Sequence, residues 1–218
     1  MERTRETDDV RIEADAVTLE GTLAIPPGAQ GIVLFAHGSG SSRLSPRNAY
    51  VAGVLRHAGI ATLLFDLLTE PEAADRANVF DLELLARRLR AATAWLRRMQ
   101  RAQALLIGYF GASTGAAAAL IAAASAPAIA AVVSRGGRPD LAGPALPRVH
   151  APTLLIVGGD DTVVLTLNQQ AYAQLTCEKQ LCIVPGASHL FEEPGTLEAV
   201  ARLATDWFRR HLGAPGQG

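Results

Sequence analysis

Gly111-Ala112-Ser113-Thr114-Gly115 decides the reading of this chain. It is a G-x-S-x-G stretch set between a short apolar run, residues 104–107, and an alanine-rich segment, residues 114–124, that reads as a helix. A serine on a sharp strand-to-helix turn needs small neighbours, because the backbone there is strained and closely approached. Gly111, Ala112 and Gly115 meet that need. The start of the following helix then lies beneath the serine and favours negative charge developing there. Ser113 is therefore a candidate nucleophile.

A nucleophilic serine needs a base, and the base needs an acid to orient it. In a strand–turn–helix setting the partners follow in the order Ser, Asp, His. The apolar run 152–157 leads into Gly158-Gly159-Asp160-Asp161, and the run 181–184 leads into Pro185-Gly186-Ala187-Ser188-His189. His37 and His150 precede the acid, His57 sits in a helical pattern, and His211 ends the last helix. That leaves His189 as the base. Order alone does not choose between Asp160 and Asp161.

The other elements are read from hydrophobic pattern and turn residues. Residues 10–16 and 18–25 form an edge hairpin closed by Pro26-Pro27-Gly28; 31–36 (GIVLFA), 61–65 and 130–133 are buried strands; 47–58, 80–98, 165–175 and 197–211 are helices. Strand and helix alternate, which predicts a mostly parallel sheet covered by helices within one domain, residues 1–218.

His37-Gly38-Ser39-Gly40 follows the run 31–36 directly. Acyl transfer needs two backbone N–H groups aimed at the oxyanion. The reading assigns them to Thr114 and Ser39, with His37 supporting the loop at the substrate's edge. A glycine-rich loop after a strand also suits phosphate, but neither a Walker lysine nor G-x-G-x-x-G is present. After the strand 130–133, Ser134-Arg135-Gly136-Gly137-Arg138-Pro139-Asp140 should reach the site's rim. Arg135 or Arg138 there could hold a substrate carboxylate or phosphate, or close a loop ion pair with Asp140 or Glu192. Arg43 and Arg47 carry the same two readings, and Asp66 is expected to cap a loop.

Composition narrows the classes. The chain has 218 residues, 49% hydrophobic and 19% charged, with a formal charge of −1. That is a globular balance with no electrostatic footprint for nucleic acid or an anionic membrane. No apolar run reaches the roughly 20 residues of a membrane span. Residues 1–10 are polar and show no leader, so a cytoplasmic setting is expected. Cys177 and Cys182 read as reduced thiols, and their C-x4-C spacing lacks partners for a zinc site.

Strand–HGSG, strand–GASTG, strand–GGDD and strand–GASH together resemble the α/β-hydrolase superfamily over nearly the whole chain. The compact length and the stretch 186–195 (GASHLFEEPG) are similar to its dienelactone hydrolase-like branch. The resemblance implies an eight-stranded sheet and a hydrolase without metal or other cofactor. In that family the acid stands three residues after the strand-ending glycine, which selects Asp161 after Gly158. Dienelactone hydrolases proper use a cysteine nucleophile. Ser113 departs from that and favours an ordinary carboxylic ester as substrate. Between the strands at 130–133 and 152–157 only residues 134–151 are available, too few for a large lid. An open cleft for short-to-medium or extended esters, small or polymeric, is the expectation. Other acyl-transfer chemistry (thioester, lactone, peptide) stays open, and a non-catalytic binding module is disfavoured by the three matching residues.

Overall fold

In the computed structural model, which describes residues 7–213, eight strands form one sheet. Residues 1–6 of the polar N-terminal stretch lie outside it. The strands are β1 (Asp8–Ala14), β2 (Val17–Ala24), β3 (Gly31–Ala36), β4 (Ala61–Phe65), β5 (Leu106–Ala112), β6 (Ile129–Arg135), β7 (Thr153–Gly158) and β8 (Lys179–Val184). Their order across the sheet is β1-β2-β4-β3-β5-β6-β7-β8. β1 and β2 pair antiparallel, β2 joins β4 antiparallel, and the pairings from β4 through β8 are parallel. This is the α/β-hydrolase architecture.

Burial follows from position. β3, β4 and β7 are buried at every residue, as strands covered on both faces must be. β1 alternates exposed and less exposed residues, as an edge strand does. Within β3, Ile32 and Leu34 join one core cluster and Val33 and Phe35 the other, so the pleat feeds both faces. The helices α1 (Pro46–His57) and α7 (Thr196–Leu212) cover the Val33 face. On the Ile32 face lie α4 (Leu82–Arg98), α5 (Thr114–Ala124) and α6 (Thr162–Gln174). Two short helices, α2 (Glu70–Ala74) and α3 (Arg76–Val79), fill the connection from β4 to α4.

Two expectations shift, and two short helices are added. β5 runs to Ala112 rather than ending at residue 107, because Gly108 and Gly111 continue the strand instead of breaking it. A side chain at Gly108 would stand 2.7 Å from the Phe208 ring, so glycine here lets α7 pack against the sheet. β6 likewise extends to Arg135, placing that residue in the strand opposite Ala112 and not in a loop. α2 and α3 lack a periodic signal. Only Thr69-Glu70-Pro71-Glu72 announces them, as a capping box in which Thr69 Oγ1 accepts from the Glu72 N–H and Glu72 accepts from the Thr69 N–H.

Between β6 and β7 the chain forms one turn-rich 3₁₀ segment, Pro139–Arg148, kinked at Gly143. Among the described residues no helix is long and apolar enough to cross a membrane. Both cysteines are free. Strand order reverses at β3, with β4 on one side and β5 on the other. A crevice opens at the C-terminal ends of the strands flanking such a point, where ligands of open α/β sheets bind. His37–Ser39 and Ser113 are the residues delivered there.

Candidate active site

Ser113 occupies the turn between β5 and α5 with φ 50° and ψ −123°, a conformation costly for any residue but glycine. The close approaches that hold it there explain the glycines. A Cβ on Gly111 would lie 2.4 Å from the Ala116 Cα, and one on Gly115 would lie 2.2 Å from the Ala36 carbonyl oxygen. Ser113 is also the N-cap of α5, yet its side chain makes no capping hydrogen bond. The hydroxyl is thereby left facing a cavity of about 260 Å³, shared with His189, Ser39, Arg47, Asn48 and Arg135.

His189 and Asp161 come together through their loops. Gly159 N–H donates to the Val184 carbonyl at 2.8 Å, and Asp160 N–H donates to the Ala187 carbonyl at 3.0 Å. Any side chain at Gly158 would meet the Ala187 carbonyl oxygen at 2.3 Å. With the turns interlocked, Asp161 Oδ2 accepts from His189 Nδ1 at 2.6 Å. Asp160 is exposed. Asp161 is the N-cap of α6 and, like Ser113, forgoes capping. Glu193 steadies the histidine loop by accepting from the Ser188 N–H at 3.0 Å, and hydrogen bonding from the Ser188 side chain, then from its N–H, holds the Glu193 carboxyl below the usual range. The hydrogen bonds of the described residues include none between Ser113 Oγ and the His189 ring. Such contacts commonly tighten only once substrate is bound.

The loop after β3 is pinned from several sides. His37 Nδ1 donates to the Gly38 carbonyl at 3.0 Å, and its Nε2 accepts from the Leu67 N–H at 3.1 Å. The second bond needs a free lone pair, so the ring is neutral with its proton on Nδ1. Burial pushes its pKa down, against smaller upward pulls from Gly38 and Asp66. Asp66 does cap this loop, accepting from the Arg43 backbone N–H at 2.7 Å and pairing with the Arg43 guanidinium, which also reaches Glu20 at 2.8 Å. The Ser39 N–H, expected to point at an oxyanion, donates to Thr114 Oγ1 at 2.9 Å. Thr114 therefore clamps the loop with its side chain.

Of the two readings for the arginines, each residue takes its own. Arg138 forms the loop ion pair, bidentate with Asp140 at 2.9 and 2.8 Å. Arg47 reaches the exposed Glu192 at 3.3 Å. Arg135 pairs with neither. It is only 6% exposed, its Nη2 donates to Asn48 Oδ1 at 3.2 Å, and its Nε has no partner. Burial, then the charge of Arg47, push its pKa down to about 10. Asn48 escapes a reading of the sequence, since it falls in no motif, and Glu193 lies within the stretch 186–195 without its contact to Ser188 being marked there. Among the described residues no group of three His, Cys, Asp or Glu side chains could hold a metal ion.

A crystal structure of dienelactone hydrolase from Anabaena variabilis is 58% identical to this chain and covers 95% of it and 100% of that chain, with a TM-score of 0.92. An α/β serine hydrolase from Xanthomonas campestris shares the fold, with a TM-score of 0.77 at 22% identity over 97% of each chain. A Mycobacterium tuberculosis protein provisionally named a phosphoribosyl transferase is 61% identical over 210 residues, which is 96% of this chain and 47% of that protein. The chain thus spans about half the length of that curated relative. The family profile described as "Dienelactone hydrolase family" matches residues 20–212. With that match over most of its length, the chain belongs to the dienelactone hydrolase family.

Proposed function

We propose that the protein hydrolyses carboxylic esters through an acyl-enzyme on Ser113, with His189 as general base and Asp161 as the residue that orients it. The observation that carries this reading is the 2.6 Å contact of Asp161 with Nδ1 of His189, whose ring lines the cavity onto which the strained Ser113 opens. In the first step Ser113 Oγ bonds to the carbonyl carbon while His189 Nε2 takes the hydroxyl proton. The bond between the carbonyl carbon and the alcohol oxygen then breaks, and the proton passes from His189 to that departing oxygen. Water, deprotonated by the same ring, then releases the acid and restores Ser113. The Thr114 N–H supplies one oxyanion donor. The Ser39 N–H supplies the second when the Thr114 hydroxyl yields it.

The mycobacterial name is read as describing the part of that protein outside the matched 47%. The test is labelling by a fluorophosphonate alongside an assay on soluble short-chain esters. The wild type should label and turn over, and Ser113→Ala should lose the label and several orders of magnitude of turnover while keeping its melting temperature. Labelling retained in the alanine variant would overturn the assignment.

A further inference from the structure

Arg135 is an unusual residue to find beside a nucleophile. A buried guanidinium is ordinarily paired with a carboxylate, because desolvating an unpaired charge is costly. Here the partners are a neutral amide oxygen and, at 6.0 Å, the Phe191 ring. No carboxylate among the described residues pairs with it. Arg47, on the same cavity, adds a second positive charge and a second buried Nε without a partner. Its only carboxylate contact among the described residues, Glu192, is exposed at the rim. The cavity therefore offers donors and positive charge with no anion of its own to receive them.

The other side of the loop is different in kind. A cavity of about 380 Å³ lies under α2 and α3, lined by Leu67, Leu68 and Leu85 and, from the two helices, by Ala73 and Val79. It shares Gly38, Ser39 and Ser41 with the Ser113 cavity, so one loop is the wall between a cationic chamber and an apolar one. Mechanism assigns the halves of an ester to these chambers. The departing oxygen must receive its proton from His189, so the alcohol half lies against His189, in the chamber that holds Arg135. The acyl half extends from the oxyanion position past Ser39 toward the apolar chamber.

We propose that the site takes esters whose alcohol half carries an anionic group and whose acyl half is apolar, with Arg135, Arg47 and Asn48 receiving the anion and the cavity beneath α2 and α3 receiving the acyl group. The assignment rests on the Ser113 reading given above. The anion takes no part in bond making: the ester is cleaved to an apolar acid and an anionic alcohol with one water consumed. Carboxylate and phosphate share the required chemistry, since a guanidinium fork meets either with two hydrogen bonds.

The experiment is a panel assayed with the intact protein. Butanoyl, hexanoyl and benzoyl esters are prepared on ethanol, on glycolate and on 2-phosphoethanol, with monoethyl succinate carrying the charge in the acyl half instead. The glycolate or the phosphoethanol series should exceed the ethyl series by at least about tenfold in kcat/KM, the usual scale of one charge-assisted contact. Which of the two leads identifies the anion. Monoethyl succinate should gain nothing. Arg135→Met should bring the charged-to-neutral ratio close to one, with Arg135→Lys in between. Val79→Trp should shift the acyl preference toward the shortest chain. Equal rates on charged and neutral alcohols, or a preference for charge in the acyl half, would overturn the proposal while leaving Ser113 in place. If Arg135→Met does not fold, the wild-type ratios alone decide. Turnover of the whole panel by Ser113→Ala would instead remove the reading on which the proposal depends.

Discussion

Asp160 and Asp161 are chemically the same residue one position apart, and the turn beginning at Gly158 separates their roles. Asp161 meets His189, and Asp160 is exposed. Asp161→Asn should lower kcat by roughly 10⁴-fold, the scale seen when a comparable triad loses its acid. Asp160→Asn should behave as a surface change, within about 0.5 kcal/mol in stability and little altered in rate. Parallel ester assays of the two variants make the comparison, and a larger loss for Asp160→Asn would reverse the roles. His37 is legible at the same scale only by its place after β3. That it is half-buried and neutral needs the structure. Its folded-state pKa lies below the ordinary imidazole value of about 6.5. The unfolded chain therefore binds the proton first as pH falls, so this contribution is intact above about 6.5 and declines below it. His211, also lowered by burial, adds to the same window. Urea midpoints between pH 7.5 and 5 should fall, and His37→Asn should flatten part of the slope. An unchanged slope in that variant would place the effect elsewhere.

At the scale of elements, two helices start on residues that decline to cap them. Ser113 precedes α5 and Asp161 precedes α6, and neither side chain bonds to its helix. An N-cap hydrogen bond is worth about 1 kcal/mol, so each helix forgoes that much to leave the side chain free. The helix start compensates Asp161 in part, since its partial positive charge favours a carboxylate there. The positions of both residues could be read from sequence, because strand ends and turn glycines carry clear local signals. The length of β5 could not, because glycine breaks a strand in an isolated pattern but suits one where a helix presses against the sheet; β6 runs past its apolar residues into the polar Ser134 and Arg135, which no hydrophobic pattern marks. Gly108 is the test. Gly108→Val should drive a methyl into the Phe208 ring and destabilise by about 1–3 kcal/mol, the cost of overpacking a tight core. A urea melt checks this, and an unchanged midpoint would mean that α7 is free to move off the sheet.

Across the whole molecule, the alternation of strand and helix made the sheet legible. The crevice at its reversal point then follows from topology, with Ser113 and the His37 loop on either side of it. What stayed hidden is the apolar chamber. Its roof is a five-residue and a four-residue helix, too short to show a period. It is held by Arg88, which reaches from α4 to Glu72 at 2.7 Å and to the Ala14 carbonyl at 2.6 Å. No such long-range tie can be seen in a linear pattern. The three side chains of the proposed reaction need no metal ion, so dialysis against a chelator should leave ester turnover within error of the untreated protein. Loss on chelation, restored by one added cation, would require a different chemistry.

Both backbone groups of Ser113 are bonded to the end of β6 or just beyond it: its N–H to the Arg135 carbonyl at 3.3 Å, and its carbonyl to the Arg138 N–H at 3.0 Å. The strand that carries Arg135 is thus fastened to the elbow itself, and the two cannot drift apart without breaking the turn. Serine and guanidinium behave as the jaws of a fixed calliper. A flexible binding loop would accept anions at many distances from the ester, whereas a calliper measures one. Lengthening the alcohol half one methylene at a time, from glycolate through 3-hydroxypropanoate to 4-hydroxybutanoate, should give a single sharp optimum in kcat/KM and not a plateau.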